Sequence, residues 1–213
     1  MAACGTEDSV GGEREVACGR DVRFPESFLE GPDQSRERFA ATALGRVLDD
    51  FFMAGPGVEE NGEYREAEGF SPVSDTIALG YRNGSPTSFF KVSGGRVTGW
   101  GGCSMVLVEG NLESARWHLT GSVDPAATIL ALEIEGGACA GPGGNEIITE
   151  IVRVDVTETE STVDIVVWVR ETPFVGTCAG VGMLLPVEAA LTTPLGDRTL
   201  WDGGTVPPTE VAR

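Results

Sequence analysis

Apolar residues recur along this chain first at helical spacing and then at the spacing of strands. From Ser35 to Ala54, Phe39, Ala43, Val47 and Phe51, with Ala40, Leu44, Leu48 and Phe52, fall at the i, i+3, i+4 positions of one broad helical face. Asp33 or Ser35 caps the start and Gly55-Pro56 ends the run. So wide an apolar face needs a sheet or a second helix over it, and it reads as core rather than as a partner groove.

After the polar connection "VEENGEYREAEGFSP" the period shortens to two. "TIALGYR" and "TSFFKV" flank Asn83-Gly84-Ser85-Pro86, a hairpin connection, and Ser93-Gly94-Gly95 supplies a second turn. A three-strand meander ending at Cys103 follows. Further on, "TILALEIE" sets Leu130, Leu132 and Ile134 on one face. "EIVRVDVTE" places Val152, Val154 and Val156 inward, and "TVDIVVWVRE" answers with Val163, Ile165, Val167 and Val169. Residues 158–161 make the polar tip between those two strands, and "PVEAALTTPLGDRTLWDGG" adds one more strand and a turn-rich close.

The expected fold is therefore α+β and mainly β. An N-terminal helix packs on a short antiparallel meander, and a β-sandwich-like antiparallel unit follows. The boundaries read as a flexible leader at 1–17, a helix-plus-meander unit at 18–104, a sandwich-like unit at 105–204 and a disordered tail at 205–213.

Composition narrows the function. The 213 residues carry 33 acidic against 15 basic groups, a formal charge of −18, with Lys91 the single lysine. Such a surface repels phosphate backbones, so no nucleic-acid partner is expected. No run approaches the roughly 18 consecutive apolar residues of a spanning helix.

Five cysteines, Cys4, Cys18, Cys103, Cys139 and Cys178, include no Cys-x-x-Cys pair, and His118 is the sole histidine. Zinc-site spacing is absent, so the cysteines read as the mark of an oxidising compartment: two disulfides and one residue over. Three connectivities are open to Cys18, Cys103, Cys139 and Cys178. Pairing by region, Cys18–Cys103 and Cys139–Cys178, is the expectation. The odd cysteine is Cys4. Ala2-Ala3-Cys4-Gly5 resembles the tail of a bacterial lipobox, and "GTEDSVGGERE" has the polarity of the tether behind a lipid anchor. Met1 stands where a leucine is usual, and the charged segment and apolar core of a signal peptide are not in this sequence.

The order "GWGGC", "ARWHL", "ACAGPGG", a valine-rich hairpin, "TCAGVG" and "PLGDRTLWDGG" resembles a family of secreted and lipid-anchored actinobacterial proteins of unknown function. The family's "PLGxRxLxDG" close matches Pro194, Leu195, Gly196, Asp197 and Arg198 with Leu200, Asp202 and Gly203, and the similarity spans roughly residues 70–204. The resemblance implies an extracytoplasmic location and carries no activity.

Catalytic chemistry has little to stand on. There is no Gly-x-Ser-x-Gly, and His118 in "ARWHLT" lies on a strand as a structural or surface residue. Among 33 acids, carboxylate pairs are unavoidable and none stands out. Asp49-Asp50 near the helix end is explained by solvation. Loops at Asn145-Glu146 and residues 202–204 offer oxygens, but no calcium-loop motif occurs, and no metal or cofactor is expected. "CAGPGG" lacks the Lys-Ser/Thr of a phosphate loop, and Asn83-Gly84-Ser85 reads as a turn rather than a glycosylation acceptor. Trp100, Trp117, Trp168 and Trp201 are candidate ligand-facing aromatics, with core packing the ordinary alternative.

The expected function is a non-catalytic extracytoplasmic lipoprotein, lipid-anchored at Cys4 to the outer face of the membrane or else secreted. It would act as a binding or interaction module for an envelope ligand or protein. A wall-glycan hydrolase using a carboxylate pair, and a structural envelope lipoprotein without a small ligand, are the alternatives.

Overall fold

The structure, a computed structural model, describes residues 14–18, 22–54, 64, 66–141, 144–172 and 179–212. It begins with a hairpin of β1 (Glu15–Cys18) and β2 (Arg23–Pro25). Val16, Ala17, Val22 and Phe24 are buried there. Residues 15–17, expected to belong to the flexible leader, are strand instead. Apolar runs of three or four residues are too short to show a period. A 3-10 turn at Glu26–Glu30 and the short β3 (Gln34–Ser35) lead into the helical segment.

The helix expected over 35–54 is broken into α1 (Arg36–Ala40) and α2 (Ala43–Ala54). Ser35 caps the first, its Oγ accepting from the Arg38 N–H at 3.5 Å. Thr42 serves the second: its Oγ1 accepts from the Gly45 N–H at 2.9 Å and donates to the Phe39 carbonyl at 2.7 Å. A Cβ on Gly45 would fall 2.0 Å from the Phe39 carbonyl oxygen, so the corner depends on that glycine. The corner also turns the stripe. Phe39, Leu44, Leu48 and Phe52 are buried, while Ala43 is exposed.

The helices cover a five-stranded antiparallel meander of β3, β4 (Gly69–Ser74), β5 (Ile77–Arg82), β6 (Ser85–Ser93) and β7 (Arg96–Gly102). Asn83 and Gly84 (φ 51° and 75°) and Gly94 and Gly95 (φ 57° and 71°) make its two-residue turns, in the left-handed region such turns require. Alternate residues serve opposite layers. Phe70, Ala78, Phe90 and Val92 meet the helices, while Leu79 and Tyr81 meet Val16, Val22, Phe24 and Met105.

The remaining strands are β8 (Met105–Glu109), β9 (Leu112–Ala115), β10 (Trp117–Leu119), β11 (Ile129–Gly141), β12 (Gly144–Ile147), β13 (Thr149–Glu158), β14 (Thr162–Glu171), β15 (Ala179–Ala190), β16 (Thr199–Asp202) and β17 (Thr209–Glu210). An eight-stranded sheet runs β17-β16-β14-β9-β8-β1-β2, with β13 also paired to β14. A four-stranded sheet holds β10, β11 and β12, with β15 on β11. These two sheets enclose the largest core, in which Leu130, Leu132 and Ile134 meet Val163, Ile165, Val167 and Val169. The result is mainly β and sandwich-like.

Pairing of β1 with β8 carries the large sheet across the expected 104/105 division. The Cys18–Cys103 disulfide closes the same corner, with Cα atoms 4.9 Å apart and a sequence separation of 85. Two details depart from the alternation. A bulge between Ile151 and Arg153 leaves Val152 38% exposed, so Ile151, Val154 and Val156 face the core instead. The tail is not frayed as expected: Thr205 is buried and bridged to Val106, and β17 pairs with β16.

Candidate functional site

The "PLGDR" close is built as a clasp. Leu195 is buried in the sandwich core, and Gly196, at φ 59°, donates its N–H to the Pro125 carbonyl at 2.8 Å. Arg198, 9% exposed, donates from Nε to the Leu195 carbonyl at 3.1 Å and from Nη2 to the Thr193 and Pro194 carbonyls at 2.9 Å each. Its Nη1 meets Glu158 Oε2 at 2.6 Å. Glu158 also accepts from the Thr192 N–H and hydroxyl at 2.6 and 2.8 Å. Those bonds, led by the Thr192 amide, hold its carboxyl down to about 2. Every Arg198 donor group named here is used inside the protein, so the motif locks the last loop to the tip of β13 and presents nothing to a ligand.

The second half of the motif borders a cleft. β9 ends at Ala115 in the large sheet and β10 starts at Trp117 in the small one, so Arg116 lies where the chain crosses between sheets. A cavity of about 330 Å³ opens at this seam, lined by Arg116, Trp117, Asp202, Thr205, Thr209, Glu210, Val211 and Ala212. Asp202 is 4% exposed at its floor, and its Oδ1 accepts from the Gly204 N–H at 3.0 Å. Burial pushes the Asp202 carboxyl up to about 6, against the Gly204 and Trp117 amides and the Arg116 charge; Asp164 adds a small push upward. The turn after Asp202 is crowded enough to favour glycine. A Cβ on Gly203 would lie 1.8 Å from Asp164 Oδ1, and one on Gly204 would lie 2.9 Å from Ser114 Cβ. The Ser114 hydroxyl donates to the Gly204 carbonyl at 2.5 Å and Thr205 Oγ1 bonds the Asp202 carbonyl at 3.0 Å, so the floor is rigid.

The four tryptophans are dispersed. Trp100 is on β7, Trp117 on β10, Trp168 on β14 and Trp201 on β16, in three different sheets. Trp117 is buried, donating to the Ile165 carbonyl at 3.1 Å, and borders the cleft. Trp168 donates to Asp155 Oδ2 at 2.7 Å with the Arg153 guanidinium 4.9 Å over its ring, so that face is covered. Trp201 is half-buried. Trp100 is 41% exposed and touches Phe51 and Phe52. No single stacking platform collects them.

Other candidates resolve into local structure. His118 is half-exposed, 3.3 Å from Glu133 on the neighbouring strand. Asp49 accepts from the buried Tyr64 hydroxyl at 2.7 Å, and burial together with that bond raises the Tyr64 phenol. Among the described residues no group of three His, Cys, Asp or Glu side chains is placed to hold a metal ion. None of their helices is long and apolar enough to cross a membrane.

Cys4 and Cys178 lie outside the described residues, and so does the Cys139 side chain, although its backbone pairs with Gly180. The sequence singled out the 202–204 loop and Trp117 but not Arg116, Thr209 or Glu210. Nothing local marks those three, because they come to line one cavity only in the folded chain. Comparison of the chain with protein-family models, curated proteins and solved structures finds no match.

Proposed function

We propose that this chain is a non-catalytic binding or interaction module of the cell envelope, held at the outer face of the membrane by a lipid on Cys4. The observation that carries it is the Cys18–Cys103 bridge. It joins the end of β1 to the segment before β8, with Cys18 buried in the core. Cross-links of this kind persist in oxidising compartments. The lipobox-like start, the actinobacterial resemblance and the acidic surface agree with that location, and the fixed backbone of the cleft floor suits recognition.

Intact and peptide mass spectrometry on protein from its own host tests the proposal. A diacylglyceryl adduct at Cys4, with the four other cysteines oxidised, is expected. An unmodified Cys4 with reduced thiols sinks it.

One observation favours a second reading, a hydrolase acting on wall glycans. Asp202, raised to about 6, is buried at the edge of a cleft, as a general acid would be. Against it, the Asp202 carboxyl already serves the Gly204 amide. Release of soluble sugar from purified wall by wild type, lost in Asp202→Asn, would establish the hydrolase; equal inactivity of both leaves the binding module standing.

A further inference from the structure

Three side chains stand in one row on the outer face of the large sheet. Asp164 on β14 pairs with Trp201 on β16, and Trp201 pairs with Glu210 on β17. Paired residues on neighbouring strands project to the same face, with about 4.8 Å from one strand to the next. That face is the outer one, because the alternate residues Val163, Ile165 and Leu200 are buried in the sandwich core. Thr157 on β13 extends the row beyond Asp164, and Thr199 precedes Trp201 by two residues on the same side of β16. An indole therefore stands between two carboxylates, with hydroxyls beside it and no basic residue in the row.

All three lack partners. Among the described residues, the Asp164 and Glu210 carboxyl groups take no hydrogen bond or ion pair, and no ring, cation or acceptor meets the Trp201 side chain. Asp164 and Trp201 are half-buried and Glu210 is exposed. Burial holds the Asp164 carboxyl above its ordinary value, and no positive group offsets it. The Asp164 carboxylate leans over Gly203, where any Cβ would strike it, which puts its charge over β16.

We infer that this row docks a basic side chain, lysine or arginine, of a partner protein, its methylene stem along the Trp201 indole and its charge in the field of Asp164 and Glu210. A cation is drawn to the face of an indole, and its apolar stem covers apolar ring surface. Two carboxylates without a counter-ion, on a chain of net charge −18, attract a cation and repel an anion. A neutral sugar also stacks on an indole, but it leaves both charges and the desolvation of Asp164 uncompensated. A second copy of this chain carries the same negative charge and is repelled. Thr157 and Glu210, at the two ends of the row, are exposed, so the row is open along its length and suits an extended segment.

This inference deepens the binding-module reading and rests on it, while its test is independent of location. Proton–nitrogen correlation spectra of the full chain at low salt follow the indole N–H signals, with Trp201 assigned from Trp201→Phe. The probes are capped Gly-Lys-Gly and Gly-Arg-Gly, capped Gly-norleucine-Gly as the same stem without charge, butylammonium, and cellobiose. The basic peptides should shift the Trp201 indole and the amides of Asp164, Thr199 and Glu210 below about 20 mM. The norleucine peptide should bind at least about tenfold more weakly, and salt at about 0.5 M should remove most of the response. Glu210→Gln, at an exposed position, and Asp164→Asn, of the same shape, should each weaken peptide binding about threefold, with the remaining spectrum unchanged. No shift with either basic peptide, an equal shift with the norleucine peptide, a stronger one with cellobiose, or a double variant that binds like wild type overturns the inference. A response to butylammonium equal to that of the peptides overturns the protein partner in favour of a free amine. A lipidated, oxidised protein without these shifts fails this inference alone; a reduced, unlipidated protein that shows them fails the location alone.

Discussion

Arg198 shows how one side chain can close a motif. It is buried beside Glu158, and three of its nitrogens reach partners on the loop and on β13. Removing it leaves the Leu195, Thr193 and Pro194 carbonyls without those donors and Glu158 without its cation, which costs more than the bonds themselves contribute. Arg198→Ala is expected to lower the Tm by about 5 °C or more in thermal unfolding. The Glu158 carboxyl is lower in the folded chain, about 2, than in the unfolded one. Its contribution is therefore full at neutral pH and is lost as pH falls from the ordinary glutamate value through about 2. Asp202 has the opposite sign. Its folded value, about 6, lies above its unfolded one, so its contribution is full below about 4 and lost as pH rises through 6. Asp202→Asn keeps an oxygen to accept from Gly204 and removes the titration. Tm measured from pH 4 to 7 should therefore fall in wild type relative to the variant; parallel curves would refute the assignment.

At the scale of elements, the break between α1 and α2 is decided by two residues against the helical period. Replacing Gly45 by alanine improves helix propensity by roughly 1 kcal/mol. The Cβ would nevertheless meet the Phe39 carbonyl 2.0 Å away, and neither backbone segment can give, because Phe39 is buried against Phe70. Steric cost wins, and Gly45→Ala is expected to destabilise by about 2 kcal/mol in denaturant titration. The periodic stripe over 35–54 was legible as a helix because it extends over several turns. The Thr42–Phe39 bond that interrupts it was not, since a threonine within an apolar run carries no mark of whether it caps. Val152 makes the same point for a strand: the bulge on β13 shifts the pairing by one residue, and one residue exchanges the two faces. On β15 the structure extends the strand back to Ala179, and Pro186 is tolerated within it because, among the described residues, β15 pairs only with β11.

For the whole molecule, the Cys18–Cys103 bridge is a long-range covalent constraint. It closes a loop with a sequence separation of 85, for which the chain-entropy account gives about 4.5 kcal/mol. It also fixes β1 beside β8, so the helix-and-meander layer and the large sheet share a corner. The double variant Cys18→Ala/Cys103→Ala should lose up to that amount in denaturant unfolding, with the amides of β1 and β2 exchanging first. Equal protection of those strands with and without the bridge would show that pairing alone holds them.

Alternation and turn residues determined a great deal by themselves: the mainly β class, the Asn83-Gly84 and Gly94-Gly95 hairpins, and the inward faces of β11 and β14. These are properties of neighbours in sequence or of a pattern repeated over many residues. Tertiary structure alone decided what depends on distant segments meeting. The β1–β2 hairpin exists because β8 and the meander bury its few apolar residues. The tail is ordered because Thr205 and β17 find partners on β8 and β16. The cleft arises because Arg116, Asp202 and Glu210, separated by most of the second half of the chain, come together at the seam between two sheets. Isolated charged residues carry no period, and only their juxtaposition in space gives them a chemistry.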